Sequence, residues 1–328
     1  MKRKVISQGH NTLTITLPSE WAKKFNLMRG SEVDVVENDN GLFISTEKND
    51  KDRKAEIDLD GLDIPTIWKY FMGVYREGYD EIVIKHNPSL KLKSPYKFFS
   101  RHDPDIKYQA DEISALEFVH ELVNRFIGFE IISHDASSIL IKDMGEPSSK
   151  EFDTSLRRVL LLAQQMSEET FEALSNSDSK ILKHIHDVDI NLDKFHDYCI
   201  RILNKIGHKE SRKTCLLFST LFYLESMGDE FKAISHHLLY DFDNGNFDHV
   251  IDISESIKEQ LELYFKLFYK FDREKIIRIS EIDSSRYFGV KDKFKETETN
   301  EEREIFHHLR IIARYINTLT ELRIEMEY

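Results

Sequence analysis

Thr12-Leu13-Thr14-Ile15-Thr16-Leu17-Pro18, followed by Trp21, Lys23 and Lys24, is the stretch that decides how the chain begins. Thr12 to Leu17 alternate apolar residues with hydroxyls, the period-2 pattern of a half-buried strand. Pro18 lacks the N–H that a ladder needs, so the strand stops there. Proline also suits the start of a short helix, expected over roughly Ser19 to Phe25, with Trp21 and Phe25 on one face. Upstream lie Lys2-Arg3-Lys4-Val5 and Gly9; downstream, Met28-Arg29-Gly30 turns the chain. Val33 to Val36, the polar turn Asn38-Asp39-Asn40-Gly41, and Leu42 to Ile44 read as a β-hairpin.

The ordered set of basic strand, glycine, strand ending in Leu-Pro, basic helix, glycine turn and hairpin resembles the swapped-hairpin DNA-binding domain of the AbrB/SpoVT family. The resemblance covers about 45 residues, too few to bury a core unaided. It implies two chains interleaved into one β-barrel, hence a homodimer or a higher even oligomer. Arg3, Lys23 and Lys24 match basic positions of that family, and His10, Asn11 and Thr12 sit in an insertion relative to its shortest members.

Charge is distributed to match. The chain carries −13 overall, which excludes indiscriminate polyanion binding. Residues 1–30 hold Lys2, Arg3, Lys4, Lys23, Lys24 and Arg29 against the single acid Glu20, a formal +5. A two-fold pair of such patches is the arrangement that reads palindromic double-stranded DNA. The plainer reading is a solvated face on a dimerisation module; the concentration of cations in an acidic chain favours DNA contact.

The 328 residues suffice for two or three domains, and 22 Phe with 13 Tyr supply material for cores. Cys199 and Cys215 fall in helical patterns and form neither a disulfide framework nor a metal motif. No run approaches the ~18–20 apolar residues of a membrane span. The first residues lack the apolar core of a secretory signal, so a cytoplasmic protein is expected.

Three domains are expected: 1–47, 55–145 and 150–328, with the charge-dense 48–60 as linker. The middle one reads as small α+β: a helix from Ile64 to Tyr75, a strand Glu81 to Lys85, a helix from Asp111, and strands at Phe129–Ile132 and Ile139–Ile141. Asn87 to Lys107 reads as a long loop. Val74–Ile82 and Gly128–Ile132 resemble the middle region of archaeal PhoU-like proteins. Beyond residue 150, six helices are expected at about 152–176, 179–206, 211–242, 246–270, 272–296 and 301–326. Six helices of this length fit two three-helix units of a PhoU-like bundle.

Asp189 and Asp193 lie four apart, as do Glu225 and Asp229 one helix later. They resemble the paired Glu/Asp-x-x-x-Asp motifs with which the PhoU family holds metal, and imply a hard oxygen cage for Fe, Mn, Mg or Ca. Such pairs also occur by chance on solvated helix faces, for instance Asp193/Asp197 and Asp248/Asp252. His196 follows Asp193 by three residues, which permits a mixed site. The equivalent later positions, Glu281/Ser285 and Asn317/Glu321, are degenerate, so no second carboxylate site is expected. The His residues at 184, 186, 208, 236, 237, 307 and 308 read as helix-end or surface groups. Neither of the two carboxylate-bearing helices has the Glu-x-x-His of a di-iron oxidase, and no Gly-x-Ser-x-Gly or activated-thiolate context marks a hydrolase or cysteine protease.

The combined resemblance implies a phosphate-responsive transcriptional regulator of phosphate uptake. Its partners would be double-stranded DNA, a second copy of itself, and a phosphate ABC transporter or sensor protein. The alternative is an accessory protein that restrains a phosphate transporter or sensor by protein contact without binding DNA.

Overall fold

The structure is a computed structural model that describes the chain apart from residues 1, 10–11, 39–40, 47–52, 94–111, 146, 177–178, 241–247 and 297–298. His10 and Asn11, the turn residues Asp39 and Asn40, and most of the expected 87–107 loop therefore lie outside the described residues. The chain divides into two compact units, residues 1–51 and 52–328.

In the first unit β1 (Ile6–Gln8) pairs antiparallel with β2 (Thr12–Thr14), Ile6 opposite Thr14. The chain leaves β1 through Gly9 at φ +76°, a left-handed conformation that glycine adopts without Cβ strain. The expected strands from Lys2 and through Leu17 are corrected: β1 starts only at Ile6, and β2 ends at Thr14, with no pairing beyond it among the described residues. Helix α1 (Ser19–Lys24) follows Pro18, and its Trp21 ring lies 5.6 Å from that of Phe25. β3 (Val33–Asn38) and β4 (Gly41–Thr46) form the expected hairpin. The expected barrel is not closed within one chain: the strands make two separate two-stranded sheets. None of the described side chains here is buried, and Val5, Ile6, Leu13, Met28, Val35 and Leu42 are exposed, Leu13 to 72%. An isolated two-stranded sheet with no buried side chain is at best marginally stable in water.

The second unit opens with β5 (Lys54–Asp58), a correction to the expected linker. Its charges alternate with Ala55 and Ile57, and the inward pair lets it lie parallel to β6 (Glu81–Lys85). Helix α2 (Ile64–Glu77) makes the crossover. Asp63 caps its start by accepting from Thr66 N–H at 2.9 Å, and Gly78 at φ +89° ends it. β7 (Lys91–Lys93) and β8 (Glu112–Ser114) pair at the edges of the expected loop. Helix α3 (Ala115–Val123) starts later than Asp111, because Ser114 and Glu117 close a capping box. β9 (Phe129–His134) and β10 (Ser138–Asp143) complete a four-stranded sheet ordered β5-β6-β10-β9. Phe71, Tyr75, Phe118, Phe126, Phe129 and Ile141 fill the core beneath it.

Six long helices follow: α4 (Ser149–Asn176), α5 (Ser179–Ile206), α6 (Lys213–Tyr240), α7 (Asp248–Tyr269), α8 (Arg273–Glu296) and α9 (Asn300–Glu325). Helices α4, α5 and α6 pack on one another, as do α7, α8 and α9; α6 against α9 and α4 against α7 join the two groups. Helix α2 packs on α5, so α5 is covered by the α+β layer on one side and by helices on the other.

That docking is polar and ionic as well as apolar. Arg201, 1% exposed, donates to Tyr75 O at 2.6 Å, to Tyr79 O at 2.7 Å and to Asp143 Oδ2 at 2.5 Å. Its guanidinium also lies over the rings of Tyr75 and Phe129. Beside it Lys205 donates to Asp80 and Asp143, and Arg76 pairs with Asp197. Gly78 is required here, because a Cβ would meet Lys205 Cγ at 2.5 Å on top of the strain of a positive φ.

Candidate nucleic-acid interface and carboxylate seam

Lys2, Arg3, Lys4, Lys23, Lys24 and Arg29 are all exposed. Lys23 and Lys24 occupy the last turn of α1, where cations are favoured by the partial negative charge of the helix end. Arg29 stands in the turn before β3, next to Gly30 at φ +92°. No ion pair joins any of the six to an acidic side chain among the described residues; Lys24 Nζ lies 5.5 Å from the Phe25 ring centroid. With +5 on residues 1–30 and −13 on the whole, residues 31–328 carry −18. The patch is therefore free to meet phosphates within its own unit.

The four carboxylates lie on two helices that pack against each other, Asp189 and Asp193 on α5, Glu225 and Asp229 on α6. Lys232, one turn past Asp229 on α6, reaches between the helices. Its ammonium donates to Asp189 Oδ2 at 2.7 Å and pairs with Asp229. Asp193 faces Arg125 Nη2 at 3.4 Å, at the end of α3. Glu225 stands near His196, whose Nδ1 lies 3.2 Å from Asp197 Oδ1 and whose ring meets Phe222 edge-on. Asp189 and Asp229 are thus joined through one ammonium, while Asp193 and Glu225 turn to separate neighbours.

Burial raises the carboxyl pKa of Asp189, with the Lys232 charge opposing it. Burial pushes Asp193 well above the usual carboxylate range, and the Asp189 charge adds to the rise. Burial raises Glu225 too, against the pull of His196. Lys232 is itself desolvated, yet Asp189 and Asp229 hold its pKa above that of an ordinary lysine. Desolvation is the leading cause at all three raised carboxyls, so the seam is short of positive charge.

At this seam two buried side-chain atoms, Asp189 Oδ1 and His196 Nε2, have no hydrogen-bond partner among the described residues. A buried carboxylate oxygen without a donor is the condition a cation relieves. The donor set is hard oxygen and fits Mg, Ca, Mn or Fe, but Lys232 already neutralises part of it. A metal would bind beside that ammonium or displace it. Cys199 is buried with its thiol pKa pushed up, the opposite of an activated thiolate.

Sequence reading missed Lys232, Arg125 and Arg201. Lys232 carried a signal, its i, i+3 spacing from Asp229; the arginines carried none, because their partners are far away in sequence. It also read His237 and His308 as helix-end groups, whereas His237, Glu304 and His308 each bring one ligand atom within 4.8 Å of the others. Among the described residues the four carboxylates make no such close knot.

Against known proteins, residues 6–52 match the family model described as "Antidote-toxin recognition MazE, bacterial antitoxin". The amino-terminal unit is thus similar to a small antitoxin-type domain. Of the solved structures, the phosphate transport system regulatory protein PhoU from Streptococcus pneumoniae is similar at 18% identity and a TM-score of 0.42, over 55% of this chain and 94% of that one. No curated protein matches the chain. No described helix is long and apolar enough to cross a membrane.

Proposed function

We propose that this protein is a cytoplasmic, phosphate-responsive transcriptional regulator whose first unit binds duplex DNA as a dimer. One observation carries the reading: six exposed cations on a unit similar to an antitoxin domain, none ion-paired among the described residues. The exposed Leu13, Val35 and Leu42 support dimerisation, since a second copy supplies the strands that would close the sheets and cover them. In this reading the domains are 1–47, 55–145 and 150–328, the last a PhoU-like bundle. The phosphate link rests on the likeness of 74–82, 128–132 and the carboxylate pairs to the PhoU family.

The helical part does not act as an enzyme in this reading. Asp189, Asp193, Glu225 and Asp229 hold a hard metal ion or use Lys232 in its place, and α5 passes the state of that seam to the α+β layer through Arg201. Genome-wide occupancy at high and low phosphate tests the proposal. Discrete binding sites near phosphate-uptake genes whose occupancy changes with phosphate support it; none at either level refutes it.

A second reading is favoured by the family that residues 6–52 match, which is one of antidote–toxin recognition and so of contact with another protein. There the chain restrains a phosphate transporter or sensor without touching DNA. Co-purification with transporter subunits, together with no enrichment of genomic fragments, would select it.

A further inference from the structure

The geometry points to a binding site for a divalent transition-metal ion of the zinc class at His237, Glu304 and His308, where the end of α6 meets the start of α9. Helices α6 and α9 run antiparallel. Tyr223 stacks near Tyr315 at 5.5 Å between rings, Glu230 bonds His308, and the His237 and His308 rings approach to 5.4 Å. Glu304 and His308 are four apart on α9 and so share a face. One ligand atom from each of the three residues lies within 4.8 Å of the others.

Around a tetrahedral zinc with bonds of 2.0–2.1 Å, ligand atoms stand about 3.3 Å apart. The remaining gap is within reach of side-chain rotation, and Glu304 is exposed and free to turn inward. Two imidazoles and one carboxylate form a borderline donor set that prefers Zn, Co, Ni or Cu to Mg or Ca.

Exposed carboxylates and histidines often gather without a metal, so a second feature decides. Glu230 Oε2 lies 2.6 Å from His308 Nδ1, with both side chains 17% exposed. Nδ1–H donating to that carboxylate fixes the ring and leaves the Nε2 lone pair for an ion, the carboxylate–histidine–metal arrangement. Neither Glu230 nor the three ligands belong to the α5/α6 carboxylate seam. An ion here would tie α6 of the first three-helix group to α9 of the second.

The test uses the full chain stripped of metal and titrated with Zn2+ by calorimetry. Co2+ then serves as a spectroscopic probe, since tetrahedral coordination gives intense visible absorption. One equivalent of Zn2+ should bind saturably. His308→Gln and Glu304→Gln should each weaken it by at least about tenfold, and Glu230→Gln by about 10–100-fold, the range seen for orienting partners. Asp189→Asn/Asp193→Asn should leave it unchanged, which separates this site from the seam. Glu304 is exposed, so its variant keeps the fold and carries the test if the histidine variants unfold. Absence of saturable Zn2+ binding overturns the site, as does wild-type affinity in Glu304→Gln.

Discussion

Replacing Lys232 with Met removes the only ammonium that the described residues place between Asp189 and Asp229. The Asp189 side chain is 3% exposed and that of Lys232 23%. Removing one member of a fully buried pair costs about 3–5 kcal/mol. The partial exposure of Lys232 lets water screen the remaining charge and lowers the expected cost to about 2–3 kcal/mol. In a unit of this size each kcal/mol moves the melting temperature by about 2–4 °C, so the loss should be roughly 4–12 °C. The cost should also depend on pH. Burial raises the folded-state pKa of Asp189, so its contribution to stability is full below the ordinary aspartate value and lost as pH rises through the raised one. Without Lys232 the carboxyl rises further, and protonation relieves the variant at a higher pH than the wild type. Lys232 has a raised pKa and stays charged throughout the acidic and neutral range. The stability deficit should therefore be larger at about pH 8 than at about pH 5, and excess Mn2+ should recover part of it at the higher pH. Thermal unfolding followed by circular dichroism measures both effects. A melting temperature within about 1 °C of wild type at the higher pH, or an equal deficit at both, would refute the reasoning.

Arg201→Met should cost about 3 kcal/mol in denaturant unfolding, because the carbonyls of Tyr75 and Tyr79 lose this donor and Asp143 keeps only Lys205 as its cationic partner. A double-mutant cycle with Asp143→Leu should show strong coupling, and additive losses would contradict the pairing. Leu13→Glu should shift the protein toward monomer in analytical ultracentrifugation, since Leu13 is exposed on β2 in a single copy; an unchanged dimer would place the interface elsewhere.

Element type was legible wherever a long period repeated. Each of α4 to α9 lies within three residues of its expected bounds, because Leu, Ile and Phe recur at helical spacing between polar breaks such as Gly207-His208-Lys209. β5 was missed because only Ala55 and Ile57 carry its period, amid charges that also suit a linker. β7 and β8 span three residues each, too short for any periodicity to show. The carboxylate spacing gave the helix face but not the ammonium between the helices. The histidine cluster was invisible for a related reason: His237 and His308 sit on different helices and meet only through the packing of α6 on α9. Arg201 could not be read as buried, since its partners lie on α2, the turn after it and β10.

The most direct measurement is the affinity of the full chain for duplex DNA across a salt series, by fluorescence anisotropy, with and without Lys23→Glu/Lys24→Glu. If about half of the twelve cations in a dimer meet phosphates, log K should fall against log salt with a slope near −5. The double substitution should flatten that slope by up to about 3.5 and abolish binding at moderate salt. Undetectable binding at low salt, or a slope the substitutions leave unchanged, would contradict the claim that this cationic unit grips DNA.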